Sequence, residues 1–264
     1  VRIAITVDVE KDIGFTDTCY GIEEGLPLIL DLFRKNSIKA TFFISSQAVE
    51  DLQRKGFFGQ LIKDSHEIAS HGYTHTDYRG WQYEEIKEEI LKSKKVLEKF
   101  TGDDVTGYRS PQFLINREII RAIKESGFAY DSSIPDVGGI SAARMRRVKV
   151  DRELLDSIRG SGLREFPIDS MPVLKVPHGL LWINLISFGL YEILFGLSRK
   201  DFMVFYMHPF DLVRNKRRVK LDLKRKVFYL KNQDGISGLL ENLIRFWISR
   251  EVTFVRLEDE IRSS

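Results

Sequence analysis

The first ten residues, VRIAITVDVE, form a β-branched, apolar run that ends in acids, the pattern of a buried strand with polar residues at its tip. A helical pattern follows in EEGLPLILDLFRKN (23–36), then a second buried-strand run in IKATFFI (38–44). The alternation continues. Strand-like segments recur at HEIAS, VTGY, FAYDSS, LREFPI, FMVFYMH and VTFVRL, with helical patterns at REIIRAIKESG, closed by Gly127, and near 236–249. The clearest helix is YEEIKEEILKSKKVLEKF (83–100), whose Tyr83, Ile86, Ile90, Leu97 and Phe100 share one face. On its other side Glu88 and Lys92 are spaced to pair. Alternating strands and helices without a Gly-Pro-Ser linker predict an α/β fold with a parallel sheet, built as one catalytic domain over 1–264.

Two stretches depart from the alternation. GLLWINLISFGLYEILFGL (179–197) is nearly apolar for nineteen residues, interrupted by Asn184, Ser187 and Glu192, within an apolar insertion at about 174–200. Its length matches a membrane span, but the glutamate and interior glycines favour a buried or surface-docked helical segment. The segment 214–226, RNKRRVKLDLKRK, carries eight Lys or Arg against one Asp. Such a run is ordinarily a solvated face; an anionic partner, either a membrane surface or a substrate phosphate, is the other reading.

Composition narrows the class. A hydrophobic fraction of 43% and a charged fraction of 30% describe a globular chain with material for a sizeable core. A net charge of +3 gives no argument for nucleic acid, and the single cysteine, Cys19, excludes a disulfide framework and a four-cysteine zinc site. No basic leader with an apolar run precedes the first strand, so no signal peptide is expected, and a cytoplasmic location, peripheral on a membrane face, is the expectation. Oligomeric state is not legible.

In parallel α/β folds the polar residues at the carboxyl ends of strands converge on one rim. Here those residues are Asp8 and Glu10, His71 and His75, Arg109, Asp131 and His208. Each alone has a bland reading, as a helix cap, a hydrogen-bonded histidine or a loop brace. Strand alternation points Asp8 and Glu10 the same way, and residues four apart in a helical turn, such as His71 and His75, share a face. Two imidazoles and a carboxylate leave a tetrahedral ion with one open position, the composition of a hydrolytic zinc site. His66 is expected to brace the core, and His178 receives no role.

TVDVE (6–10), ATFFI (40–44), HEIASHGYTH (66–75), YRSP (108–111), YDSS (130–133) and MHP (207–209) follow one another in the order of the polysaccharide deacetylase motifs. The chain therefore resembles carbohydrate esterase family 4, the polysaccharide deacetylases with the NodB homology domain. The resemblance implies a distorted (β/α)7–8 barrel and a metal-dependent amidohydrolase that removes an N-acyl group, acetyl first, from an amino sugar, polymeric or lipid-linked. It implies zinc, with cobalt or nickel as alternatives. It makes Asp8 the general base, Arg109 its partner, and His71 and His75 metal ligands. Gln112 becomes the backbone donor to the oxyanion, and His208 the general acid, oriented by Asp131. One position departs from the family. Where an aspartate usually follows the base, Val9 stands here, so Glu10 takes the third ligand place by analogy with Asp-x-Asp relatives. The alternative puts Asp8 on the metal. A deformylase of a lipid-linked formamido sugar, an allantoinase-like cyclic amide hydrolase and a catalytically silent carbohydrate- or membrane-binding module are the competing readings.

Overall fold

A computed structural model describes residues 1–12, 18–78, 80–135, 152–216, 226 and 229–262. Most of the basic segment 214–226 lies outside the described residues; Arg214, Asn215, Lys216 and Lys226 lie within them.

Eight strands form one parallel, curled sheet: β1 (Arg2–Val9), β2 (Thr41–Ile44), β3 (Glu67–Ser70), β4 (Gly107–Tyr108), β5 (Tyr130–Asp131), β6 (Arg164–Glu165), β7 (Phe202–Met207) and β8 (Thr253–Val255). The order is β6-β5-β4-β3-β2-β1-β7. β1, second from the end of that order, pairs with three strands and is apolar on one face and small or polar on the other. One edge pairs with β7 from Arg2 to Val7; the other is shared, β8 taking Arg2–Ala4 and β2 taking Thr6–Val9. Ile3, Ile5, Val7 and Val9 face outward into the layer between sheet and helices, where Ile29, Leu30, Phe33, Leu243 and Trp247 also pack. Ala4 faces the barrel interior with Phe43, Ala69, Tyr130, Phe166 and Tyr206. The alternate positions Thr6 and Asp8 continue this inner row upward, so period-2 geometry delivers a carboxylate to the barrel mouth.

Beyond β6 the chain makes single bridges, Pro135 to Ile168 and Ser170 to Pro177, and reaches β7 through the bridge of Gly179 to Tyr206. Asp169 holds this crossing: its carboxylate accepts from Val204 N at 2.6 Å, and its carbonyl accepts from His178 N at 2.7 Å. The apolar stretch then supplies two short helices rather than one long one. In chain order the α-helices are α1 (Leu26–Lys35), α2 (Val49–Arg54), α3 (Phe57–Lys63), α4 (Tyr83–Thr101), α5 (Arg117–Glu125), α6 (Arg152–Ser161), α7 (Leu180–Ile186), α8 (Phe188–Gly196), α9 (Ile236–Ser249) and α10 (Leu257–Arg262). α7 and α8 are separated at Ser187, whose φ of 85° no α-helix accommodates. Among the described residues no helix is long and apolar enough to cross a membrane.

His66 and His178 are both packed as structural groups. The His66 ring sits 4.9 Å from Phe42, and its Nδ1 accepts from Ala40 N at 3.2 Å. Trp247 Nε1 donates to the Tyr191 hydroxyl at 2.7 Å, and that hydroxyl lies 3.0 Å from His178 Nε2. Burial pushes His178 down to about 3, so it stays neutral within this chain. On α4 the expected inward face is buried at Ile86, Ile90 and Leu97. Lys92, spaced to pair with Glu88, lies instead 3.9 Å from the centre of the Tyr73 ring.

Candidate active site

Every residue predicted for the site stands at or beyond the carboxyl end of a strand. Asp8 is the penultimate residue of β1 and is 1% exposed. Arg109 follows β4 and is wholly buried. Its guanidinium uses four N–H bonds: Nη1 to Asp8 Oδ1 at 2.6 Å and to Thr6 Oγ1 at 2.9 Å, Nε to Ser132 O at 2.9 Å, and Nη2 to Ser132 Oγ at 2.8 Å. The Phe43 ring lies 4.1 Å beneath it. A planar fork anchored on two other strands can only present Nη1 to Asp8, which places the carboxylate.

His71 and His75 converge by a route other than the helical turn expected. The loop after β3 turns through left-handed backbone at Gly72 (φ 75°) and His75 (φ 52°). Three residues on two elements pin it. Ser46 N donates to Gly72 O at 3.0 Å, Gln47 N to Tyr73 O at 3.2 Å, and Thr74 N and Oγ1 both donate to Glu89 Oε1 on α4, at 2.7 and 2.6 Å. The two rings end with centroids 4.9 Å apart.

Glu10 closes the cluster. Its Oε2 lies 3.8 Å from His71 Nε2 and in close contact with His75 Nε2. One ligand atom from each of Glu10, His71 and His75 lies within 4.8 Å of the other two. Burial alone would raise the Glu10 carboxyl, but the His75 ring beside it, with His208 and His71 behind, holds it down at about 2. Burial pushes His71 down to about 4 against the opposing pull of Asp8, so its ring is neutral near pH 7. Its Nδ1 bonds the Arg109 carbonyl at 2.9 Å, which fixes the tautomer and turns Nε2 toward Glu10. A carboxylate and two imidazoles aimed at one point, with an outer hydrogen bond orienting the His71 ring, fit a divalent cation. Glu10 therefore reaches the place that Val9 cannot serve, Val9 being buried in the outer core.

Gly72 is the weak point of that grip. A Cβ there would lie 2.6 Å from the Tyr78 hydroxyl and 3.1 Å from Pro111, on backbone that a side chain rarely adopts. Gly72→Ala is expected to lower zinc affinity by about tenfold or more, read by calorimetric titration of the metal-free chain; unchanged affinity contradicts the pinned-loop account.

His208, one residue past β7, faces Asp8, with Nε2 to Oδ2 at 3.9 Å. Burial would lower its pKa, but Asp211, Asp8 and Glu10 carry it up to about 9. The orienting role expected for Asp131 is not what the structure shows. Asp131 accepts from Ser133 Oγ at 2.6 Å and Ser133 N at 3.2 Å, with Glu165 beside it on β6. Burial pushes Asp131 up to about 6 and Glu165 higher still, the state of two carboxyls sharing a proton. The carboxylate next to the His208 ring is Asp211, Oδ2 to Nδ1 at 3.8 Å. Its sequence signal was the spacing in His-Pro-Phe-Asp, an acid three residues past a strand-end histidine and inside a one-turn helix (Pro209–Leu212).

Gln112 lies on the same rim in the turn Pro111–Phe113, and both Gln112 and Phe113 have φ of 57°. Two successive left-handed residues reverse the backbone immediately after Arg109. A small cleft opens at this rim, lined by Asp8, Glu10, Lys11, His208, Pro209, Phe210 and Tyr229.

A sequence profile described as polysaccharide deacetylase matches residues 2–130. A peptidoglycan deacetylase from Helicobacter pylori is 28% identical over 112 residues, 42% of this chain and 38% of that protein. A peptidoglycan-N-acetylglucosamine deacetylase from Bacillus cereus is 32% identical over 127 residues, 48% of this chain and 53% of that protein. The chain thus spans about half or less of these relatives' lengths. Among solved structures, a family 4 acetyl xylan esterase from Clostridium thermocellum, in complex with a cobalt ion, superposes with a TM-score of 0.56 at 14% identity, over 98% of this chain and 89% of that one. A carbohydrate esterase family 4 pseudoenzyme from Bacillus anthracis gives 0.54 at 14% identity, over 98% and 64%. At such identities the superpositions establish the fold, the distorted (β/α) barrel.

Proposed function

Residues 2–130 of this chain belong to the polysaccharide deacetylase family, and from that premise we propose that the chain hydrolyses the N-acetyl group of an acetamido sugar. The observation that carries the reading is the Glu10, His71 and His75 cluster beside the Asp8–Arg109 pair. A divalent ion held by Glu10, His71 and His75 would polarise the acyl oxygen and acidify a water. Asp8 takes the proton of the attacking water. Arg109 holds the Asp8 carboxylate in place for that task, paired with it at 2.6 Å. The Gln112 N–H is assigned to the developing oxyanion, a donor held in place by its turn. His208, charged at neutral pH, donates to the departing nitrogen, which otherwise leaves poorly.

The test is metal analysis of the purified chain, followed by acetate release from free, polymeric and lipid-linked acetamido sugars. Formate release from formamido sugars and turnover of cyclic amides separate the rival hydrolase readings. No bound metal and no turnover on any of them would leave the silent binding module. The sign of the alkaline limb also follows. His208 acts while protonated, so its form is intact well below its folded pKa and is lost as pH rises through about 9. Turnover is expected to fall over that interval; a profile flat to pH 10 would remove His208 from the acid role.

A further inference from the structure

The segment after β7 is held from two sides at once. On one side the turn Gly21–Gly25 lies backbone against backbone on Pro209 and Phe210. A Cβ on Gly25 would come 1.8 Å from Pro209 O, and one on Gly21 would come 2.8 Å from Phe210 N. Asp12 in turn fixes that glycine turn, accepting from Tyr20 N and Gly21 N, both at 2.7 Å. On the other side Lys216, wholly buried, donates its ammonium to the Asp211 carbonyl at 2.7 Å. A buried ammonium is retained only where acceptors or anions compensate it, and the acids that face Lys216 are Asp211 and Asp234.

Asp211 sits between these two clamps. It is 1% exposed. One oxygen, Oδ2, accepts the His208 backbone N–H at 2.9 Å and faces the His208 ring nitrogen Nδ1 at 3.8 Å. Its other oxygen, Oδ1, is buried with no hydrogen-bond partner. The carboxylate thus stands between the His208 ring and the Lys216 ammonium, with Oδ2 turned to His208. The Tyr206 ring, edge-on to the His208 ring at 6.1 Å, bounds the remaining side.

We infer that Asp211, held by Lys216 and the Gly21–Gly25 turn, is the positioning residue that orients His208 and keeps it charged, a role that Asp131 does not fill. This inference rests on the reading of His208 as the general acid. The charged groups facing the ring are Asp211 from its own turn and Asp8 and Glu10 from the end of β1. Asp8 and Glu10 face it from the reaction side, where substrate and metal would compete for them. Asp211 is the carboxylate behind the ring, and its effect persists through the reaction. Asp131 is unsuited, since its carboxylate oxygens are engaged by Ser133 Oγ and Ser133 N, with Glu165 beside them, and not by the His208 ring.

The test is the pKa of His208 in the full chain, followed by nitrogen-detected NMR, beside the pH profile of turnover. Asp211→Asn is expected to lower the His208 pKa by roughly one unit or more. It should move the alkaline limb of kcat down by the same interval, with KM little changed. Lys216→Met, which removes the anchor and keeps the carboxylate, is expected to shift both in the same direction by less. It also serves as the second variant should Asp211→Asn fold poorly. Asp131→Asn is expected to leave the His208 pKa where it was. An Asp211→Asn chain with an unmoved His208, or an Asp131→Asn chain with a shifted one, overturns the inference. The NMR readout needs no substrate. A shifted His208 in a chain that releases no acetate would therefore sink the proposed activity and leave this positioning role standing.

Discussion

His71→Ala is expected to strip the chain of its divalent metal and to bring acetate release down to background. His71 is 3% exposed, and its Nε2 is one of three ligand atoms gathered at a single point. Alanine leaves Glu10 and His75, a pair that cannot enclose a small cation. The lost Lewis-acid contribution is several kcal/mol, and at 1.36 kcal/mol per decade about 4 kcal/mol is on the order of 10³ in rate. Two measurements check it: metal content by mass spectrometry after dialysis, and acetate release at saturating substrate. Removing the imidazole leaves the Arg109 carbonyl without its 2.9 Å partner, a modest cost beside the barrel's core. Normal folding with no metal is thus the expected combination. A variant that keeps a full equivalent of metal would show that the ligands lie elsewhere, Asp8 first among the alternatives.

How far the sequence alone led can be judged residue by residue. The strands were legible because a sheet covered on both faces needs continuous apolar runs, and TFFI, EIAS and FMVFYM are such runs bounded by polar loops. The helix at Ile236–Ser249 was legible from its period. Asp8 and Glu10 were legible as a pair because alternation along an extended segment is rigid geometry. Both line the cleft at the rim.

What escaped the sequence depended on contacts between segments far apart in the chain. His71 and His75 converge because Ser46, Gln47 and Glu89 pin the intervening loop, which local spacing cannot reveal. The partner of a strand-end aspartate such as Asp131 is hidden for a similar reason. A strand-end aspartate reads the same whether it faces a histidine across the barrel or a serine two residues away and a glutamate on the next strand. The apolar run at 179–197 gave the right composition and the wrong number of helices, because the left-handed Ser187 carries no sequence mark comparable to glycine or proline. Its attachment to the sheet, through the bridge of Gly179 to Tyr206 on β7, is a tertiary fact.

Arg109→Met is expected to cost both stability and turnover, and the two losses can be separated. The guanidinium is wholly buried, bonded to two other strands and paired with a carboxylate that is itself 1% exposed. Removing one partner of such a pair leaves an uncompensated buried charge, a loss of about 3–5 kcal/mol. Asp8 escapes that cost only by taking up a proton, which ends its service as a base. Equilibrium urea unfolding of the metal-free chain reads the first loss, and acetate release reads the second. The double variant Arg109→Met/Asp8→Asn removes the stranded charge while restoring no base. It is expected to be more stable than Arg109→Met alone and equally inactive, a non-additivity that a simple loss of packing by the arginine stem would not produce. If the double variant is as unstable as the sum of its two single variants, the pair is not an electrostatic unit. Arg109 would then be a core brace whose charge is incidental to the chemistry.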